Sequence, residues 1–210
     1  MKKIKNIQTK NYIAETIRNE ILSGNMEPGE ELTQELLAEM LGVSRMPVRE
    51  ALQMLEQEGF IERLPNRHMV VAELDADKIR GIIRMVAAME IEIISQGIGT
   101  EGEEPDQVLE FMGAAIRSND CRQAMELELE YHTSLAKILK NTYLEQMFTK
   151  ALEGYIRFLI EKREHNVRQS YDCLKLINEH RHQGDPDAAG RLLREYYQIL
   201  TERWDKKGSS

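Results

Sequence analysis

Arg45 and Arg49 are the first residues whose spacing suggests chemistry. They stand four residues apart in the stretch Ser44-Arg45-Met46-Pro47-Val48-Arg49. In a helix, this spacing places both guanidinium groups on one face, one turn apart. A guanidinium group donates hydrogen bonds as a planar fork that suits phosphates and base edges. The pair therefore predicts a nucleic-acid contact at the start of a helix.

The surrounding residues predict the two helices that would position these arginines. The first helix has an apolar stripe of Leu36, Leu37, Met40 and Leu41. Gly42 is suited to end it with a positive φ, and Ser44 to cap the next helix. Pro47 fits the first turn of that helix, where a missing N–H is harmless. The second helix has its own apolar face, made by Val48, Ala51, Leu52 and Leu55.

An ordinary helical hairpin with arginines facing water is the alternative, and the flanking segments favour a winged helix-turn-helix instead. Upstream, a helical pattern from Tyr12 ends at Gly24, and a Pro28-Gly29 turn follows. Downstream, residues 59–64 and 69–71 are predicted to be short strands. The segment that joins them, the wing tip, is Pro65-Asn66-Arg67-His68.

These residues resemble the amino-terminal domain of the GntR family of bacterial transcription regulators. The resemblance covers roughly residues 8 to 72. It rests on Gly24, Pro28-Gly29, Leu37-Ala38, Gly42-Val43-Ser44-Arg45, Pro47-Val48-Arg49-Glu50-Ala51-Leu52, Leu55 and Glu58-Gly59. In that family the matching arginines contact the major groove and the wing tip reaches the minor groove. The DNA-binding residues implied are Ser44, Arg45, Met46, Pro47, Arg49, Asn66, Arg67 and His68.

Three residues depart from the family's pattern. Met46 stands where a threonine commonly touches DNA, which predicts an altered base preference. Glu35 stands where some members have an arginine, so a phosphate contact is lost and repulsion is added. His68 replaces the usual wing glycine, which predicts a different wing backbone.

Composition sets the bounds on the class of protein. The 210 residues suffice for two modest domains, and only five prolines interrupt a helix-favouring composition, so a mainly α protein is expected. Residues 1–72 carry nine Lys and Arg against eleven Asp and Glu, a net of −2, which favours a local basic surface over a globally basic one. No apolar run approaches the length of about 18 residues that a membrane span needs, so a soluble, cytoplasmic protein without a membrane partner is expected.

The remainder of the chain predicts an all-α second domain. We expect a winged helix-turn-helix domain at residues 1–72 and an effector-binding and dimerisation domain at residues 73–210. A helix cap is predicted within Glu73–Asp77. Breaks at 97–99, 119–120, 141–142, around 165–166 and at 184–186 divide the second domain into about six helices.

The second domain resembles the ligand-binding FCD domain of the FadR subfamily of GntR regulators. The resemblance spans roughly residues 73 to 205. It rests on Asp75-Ala76-Asp77, Arg84, Glu90, His132-Thr133-Ser134-Leu135, Asn141, Leu144, Glu179-His180, Gly184-Asp185 and Ala188-Ala189. Many such domains bind a divalent metal through an aspartate, a histidine four residues later and two further histidines. The corresponding residues here are Glu128, His132, His180 and Tyr196.

Tyr196 leaves two alternatives open for this set. A carboxylate with two imidazoles, Glu128, His132 and His180, suits zinc, nickel or manganese. A neutral phenol, with a pKa of about 10, is instead a poor ligand and more naturally donates a hydrogen bond. Tyr197, the next residue, is expected to point away from this set. The second alternative is a metal-free pocket in which His132, His180 and Tyr196 bind an effector or hydrogen-bond Glu128.

Arg84 is the candidate for holding an anionic effector. Its helix has apolar neighbours, and the family often binds carboxylates in the cavity that this helix borders. A guanidinium fork takes a carboxylate through two hydrogen bonds. The alternative for Arg84 is a structural salt bridge to an acid in the bundle.

Together these features predict a DNA-binding transcription regulator, a repressor released by a small organic acid. One recognition helix reads few base pairs, so a homodimer on a two-fold symmetric operator is expected. Two alternatives from other classes remain. One is a metal-dependent hydrolase using Glu128, His132 and His180, although no nucleophile and base accompany them. The other is an adaptor whose winged domain binds protein.

Overall fold

The computed structural model describes residues 3–73, 76–100, 102–162 and 167–207. These residues are mainly helical with two short strands, which confirms the predicted fold class. The chain divides into two compact units, Met1–Asp75 and Ala76–Ser210. The helix cap predicted within Glu73–Asp77 includes Leu74 and Asp75, which lie outside the described residues.

The amino-terminal unit is a three-helix cluster followed by a two-stranded wing. Its elements are α1 (Lys3–Ser23), α2 (Gln34–Leu41), α3 (Arg45–Gln57), β1 (Ile61–Arg63) and β2 (Met69–Val71). Helix α3 packs against both α1 and α2. The core of the unit consists of side chains exposed by 1% or less, among them Ile13, Ile17, Val48, Leu52, Leu55 and Phe60. This burial orients α3, because its apolar face is fixed inward.

The turn between α2 and α3 follows the sequence prediction only in part. Gly42 has a φ of 63° and ends α2, as expected. Leu36 and Met40 are, however, 53% and 66% exposed, so the predicted apolar stripe of α2 is wrong at these two positions. Ser44 stands at the N-cap of α3, but its side chain makes no capping hydrogen bond, which corrects the predicted cap. Its hydroxyl is therefore not held by the helix end.

The wing is an antiparallel hairpin in which Glu62 pairs with Val70. Leu64 and His68 close the loop, since the Leu64 N–H donates to the His68 carbonyl at 2.8 Å. Arg67 has a φ of 70°, and this is where the loop enters the left-handed region. His68 was predicted to change the wing backbone because it replaces a glycine. The positive φ lies at Arg67, one residue before it.

The carboxyl-terminal unit is a helical bundle. Its elements are α4 (Ala76–Gly97), α5 (Glu104–Arg117), α6 (Cys121–Ile138), α7 (Thr142–Ala151), a π-helical segment (Leu152–Ile156), α8 (Arg157–Lys162), α9 (Val167–Gln183) and α10 (Pro186–Lys207). Because α7, the π segment and α8 follow without a gap, the described part matches the six predicted helices. The break predicted at 165–166 lies outside the described residues.

Short polar caps begin three of these helices. The side chains of Asp120, Asn141 and Asp185 accept backbone N–H bonds at 3.0, 3.2 and 2.9 Å at the starts of α6, α7 and α10. Helix α4 then packs against both α6 and α10. Among the polar residues of these helices, Glu90, Glu128 and His132 are 0% exposed. Among the described residues, no helix is long and apolar enough to cross a membrane.

Candidate functional site

The first candidate site is the outward face of α3. The side chain of Arg45 is 66% exposed and Met46 is 51% exposed, and Arg49 is also exposed. On the opposite face, Val48, Ala51, Leu52 and Leu55 are all 0% exposed. The helix therefore presents cationic side chains at its amino end because its apolar residues are held in the core.

Pro47 does not share this face. Pro47 was among the residues implied to bind DNA, and its side chain is buried between the exposed Met46 and the fully buried Val48. The reason is the helical period, since Pro47 lies about 200° around the helix from Arg45. Ser44, which precedes the helix, is exposed.

Both arginines of α3 have polar partners within the unit. Arg45 forms an ion pair with Glu35, which lies in the first turn of α2. The Arg49 guanidinium donates to the Met46 sulfur at 3.1 Å. Glu35, which was expected only to repel phosphate, therefore compensates the charge of Arg45. Met46 is held beside Arg49 in the candidate interface.

The wing tip provides a second exposed cationic segment. Asn66, Arg67 and His68 are all exposed, and the Asn66 side chain accepts the His68 N–H at 3.1 Å. His68 Nδ1 lies 2.7 Å from a Glu31 carboxylate oxygen. A cleft of about 310 Å³ joins the wing tip to α3, with Glu31, Glu35, Arg45, Arg63, Arg67 and His68 in its lining. The lining of this cleft therefore contains both basic and acidic groups.

The second candidate site is a buried chain of hydrogen bonds in the bundle. His132 Nδ1 lies 2.6 Å from Glu90 Oε1, and His132 Nε2 lies 2.9 Å from the Tyr196 hydroxyl. The Tyr196 hydroxyl donates to Glu128 Oε1 at 2.7 Å. The Tyr197 hydroxyl donates to Glu90 Oε2 at 2.5 Å. We call these five residues, Glu90, Glu128, His132, Tyr196 and Tyr197, the core cluster.

The core cluster is closed off from water. Glu90, Glu128 and His132 are 0% exposed, and Tyr196 and Tyr197 are 1% exposed. Burial raises the pKa of Tyr197 well above its usual value, and the nearby Glu90 charge raises it further. Tyr197 therefore stays a neutral donor to Glu90. The His132 ring also packs on Tyr196, with centroids 5.0 Å apart.

His180 is not part of the core cluster. Its Nδ1 is buried without a hydrogen-bond partner and lies 4.0 Å from Asp185 Oδ2, which is too far for a hydrogen bond. Within the described residues, no group of three His, Cys, Asp or Glu side chains can hold a metal ion. The predicted set of Glu128, His132 and His180 is therefore not assembled.

The donor geometry also opposes a metal at the family's position. The two carboxylates of the core cluster bond opposite sides of the His132 ring, Glu90 directly and Glu128 through Tyr196. The Tyr196 hydroxyl, a neutral phenol and a poor metal ligand, lies between Glu128 and His132 Nε2. The residues present do not fit a zinc, nickel or manganese ion.

Two members of the core cluster were not assigned from the sequence. Glu90 belongs to the buried stripe of α4 that includes Val86, Ala87 and Ile94. A glutamate within an apolar helix face could have predicted a buried polar site. Tyr197 was expected to be turned away from the predicted metal set, and this is wrong, since its hydroxyl donates to Glu90 in the core cluster. Adjacent residues differ by about 100° around a helix, and both directions face the bundle here because α10 packs against both α4 and α9.

Arg84 does not face an enclosed cavity, which corrects the prediction for this residue. It is exposed on α4, whereas its neighbours Ile83 and Val86 are 3% and 2% exposed and form the inward face. The helical period turns Arg84 about 100° away from Ile83.

Comparison with known proteins decides the family. The description "Bacterial regulatory proteins, gntR family" matches residues 9–71, and the FCD domain matches residues 82–198, more than half of the chain. The chain belongs to the GntR family of bacterial regulatory proteins. Its second unit is an FCD domain, which confirms the resemblance to the FadR subfamily. It is therefore a transcription regulator with a winged helix-turn-helix.

The individual relatives have low sequence identity to this chain but match most of its length. The gluconate operon transcriptional repressor of Bacillus subtilis is 24% identical over 173 residues, which are 80% of this chain and 71% of the relative. A solved structure of Lar, which controls the Listeria monocytogenes agr system, has a TM-score of 0.69 at 18% identity over 94% of this chain and 96% of that one. Escherichia coli McbR/YncC gives 0.67 at 19% identity over 95% and 98%. The two structures share the fold.

Replacing Tyr197 with Phe tests the core cluster. Because Glu90 Oε2 would lose its phenolic donor in a buried site, we expect the free energy of unfolding of this unit to fall by about 1–3 kcal/mol. Hydrogen exchange of the α4 and α10 amides measures this. Tyr143→Phe is the matched control, since Tyr143 is 73% exposed. Equal exchange in both variants would contradict a structural role for the Tyr197 hydroxyl.

Proposed function

We propose that the protein is a homodimeric transcriptional repressor that binds a two-fold symmetric DNA operator and is released by a small organic acid. The observation that carries the proposal is the outward face of α3, with Arg45, Met46 and Arg49 exposed above a fully buried apolar face. A helix of this kind, with cationic residues at its amino end, suits the major groove. The proposed contacts also include Ser44 and the wing residues Asn66, Arg67 and His68.

Two copies are required by the size of the interface. One α3 helix presents only three or four side chains to base edges, which specifies few base pairs. Operator affinity and selectivity therefore call for a second copy on the other half-site, about one helical turn away. A dimer also doubles the number of phosphate contacts, which steepens the dependence of binding on salt.

The sign of regulation and the effector class are supported by relatives rather than by a bound molecule. The Bacillus subtilis relative is named as the repressor of a gluconate operon, and gluconate is a carboxylate. In the second unit, His180 Nδ1 is a buried polar atom without a hydrogen-bond partner. We infer that His180 offers this nitrogen to the effector, whereas both nitrogens of His132 are already engaged in the core cluster.

A hydrolase is the weaker alternative. Glu128 and His132 are 0% exposed, and each is hydrogen-bonded to Tyr196, so neither is presented to a substrate. A protein-binding adaptor is the other alternative. It predicts no salt-dependent DNA binding, whereas a DNA-binding regulator predicts a steep dependence.

Substituting the two arginines of α3 tests the DNA interface. We expect Arg45→Ala and Arg49→Ala each to weaken operator binding by about 1–3 kcal/mol, because each removes a guanidinium contact. The operator is first selected from a random duplex pool with the full-length protein. Fluorescence anisotropy at several salt concentrations then measures affinity and salt slope.

Arg122→Ala is the matched control for this experiment. Arg122 lies in the second unit and its side chain is 89% exposed, so its removal changes the net charge equally. If both α3 variants bind the operator as tightly as the control, the assigned reading face is wrong.

Replacing Glu35 with Gln tests the role of its pairing with Arg45. The substitution removes the carboxylate that compensates Arg45 and repels phosphate. We expect affinity for non-operator DNA to rise about two- to five-fold at low salt, the range of an exposed ion pair. Glu126→Gln, 61% exposed in the second unit, changes the net charge identically. An equal gain in affinity for non-operator DNA in both variants would mean that the effect comes from net charge and not from the position of Glu35.

A panel of small carboxylates tests the effector class. We expect at least one sugar acid or related carboxylate to raise the melting temperature and weaken operator binding about ten-fold or more, while its neutral alcohol analogue does neither. His180→Ala should reduce both responses, and Arg84→Ala, on the exposed side of α4, should not. A neutral ligand that acts alone, or a response lost only in Arg84→Ala, would overturn this assignment.

A further inference from the structure

The Tyr196 hydroxyl lies between two groups that bind metal in related domains. It is 2.7 Å from Glu128 Oε1 and 2.9 Å from His132 Nε2. A zinc ion bridging the same two atoms would sit about 2.0–2.2 Å from each. The hydroxyl therefore bridges the carboxylate and the imidazole as a bound ion would, at hydrogen-bond distances. We propose that the Tyr196 hydroxyl replaces the metal ion of the FCD fold, so that this regulator is metal-independent.

The direction of the hydrogen bonds supports the replacement. Tyr196 donates its only proton to Glu128, so its oxygen accepts from His132 Nε2–H. His132 Nδ1 faces Glu90 at 2.6 Å, where one proton serves both groups. Protons thus join the carboxylate and the imidazole on either side of Tyr196. A metal would require His132 Nε2 to lose its proton and Tyr196 to leave.

The residues around His132 are arranged like those that orient a metal-binding histidine. Metal-binding histidines usually donate their second ring nitrogen to a carboxylate, which fixes the orientation of the ring. Glu90 holds that relation to His132, and Tyr197 in turn donates to Glu90. Glu90 and Tyr197 therefore still orient His132, while the Tyr196 hydroxyl lies between His132 and Glu128. The difference from a metal site is therefore concentrated at Tyr196.

The dimensions of the side chain make the replacement reversible by one substitution. An imidazole at this position reaches roughly 2 Å less far than a phenolic oxygen, and a zinc–nitrogen bond is about 2.0–2.1 Å long. A histidine with a bound ion therefore spans nearly the same length as tyrosine. Tyr196→His should provide a third ligand beside Glu128 and His132, with room for the ion.

The test compares full-length wild type, Tyr196→His and Tyr196→Phe. Each is incubated with Zn²⁺, Ni²⁺ or Mn²⁺ separately, desalted and analysed for metal by elemental mass spectrometry, and its melting temperature is measured with and without EDTA. We expect wild type and Tyr196→Phe to retain no stoichiometric metal and to show no EDTA effect. Tyr196→His should retain about one ion per chain and melt higher with the ion than with EDTA.

Two outcomes would overturn the proposal. One is wild-type protein that retains about one ion per chain and loses it in Glu128→Gln. The other is a folded Tyr196→His variant, judged by its circular dichroism, that retains no ion. If Tyr196→His does not fold, the metal content and EDTA response of wild type decide the question.

Discussion

Two carboxylates buried in a helical bundle are the constraint on which the second unit depends. Glu90 and Glu128 are 0% exposed, and an ionised carboxylate without partners costs several kcal/mol to bury. The core cluster offsets that cost, because each carboxylate accepts a phenolic hydroxyl and Glu90 also bonds His132. These bonds connect α4, α6 and α10. The same atoms that satisfy the buried charges therefore fix the positions of three helices.

The amino-terminal unit depends on the opposite arrangement, in which charge is left in water. Burial of Val48, Leu52 and Leu55 determines which side of α3 faces outward, and Arg45 and Arg49 lie on that side. The unit as a whole is not basic, so long-range attraction to DNA is weak and affinity must come from contacts at short range. The ion pair of Arg45 with Glu35 also weakens binding to non-operator DNA. Such DNA must displace the Glu35 carboxylate from Arg45, and it gains no base contacts in return.

Features that depend on residue type and periodicity within one element could be predicted from the sequence. Features that depend on which helices pack together could not. Helix ends at Gly42 and Gly184 and the wing strands follow from residue type and period, and they were predicted correctly. Glu90 could not be paired with His132, because the two are separated by 42 residues and only packing of α4 on α6 joins them. Arg84 was a candidate either for holding an anionic effector or for a structural salt bridge, and it is exposed because one position around a helix is enough to reverse burial.

The core cluster also limits how an effector can act on the bundle. Both nitrogens of His132 are hydrogen-bonded, so a ligand that bonds His132 must displace either Glu90 on α4 or Tyr196 on α10. Displacement costs Glu90 or Tyr196 one of its buried hydrogen bonds, while Tyr197 still donates to Glu90 and Tyr196 still donates to Glu128. A ligand at His180 faces no such competition, because its Nδ1 has no partner to lose. An effector that binds His180 would leave the cluster intact, and it would shift the bundle only if its contacts differed between two conformations.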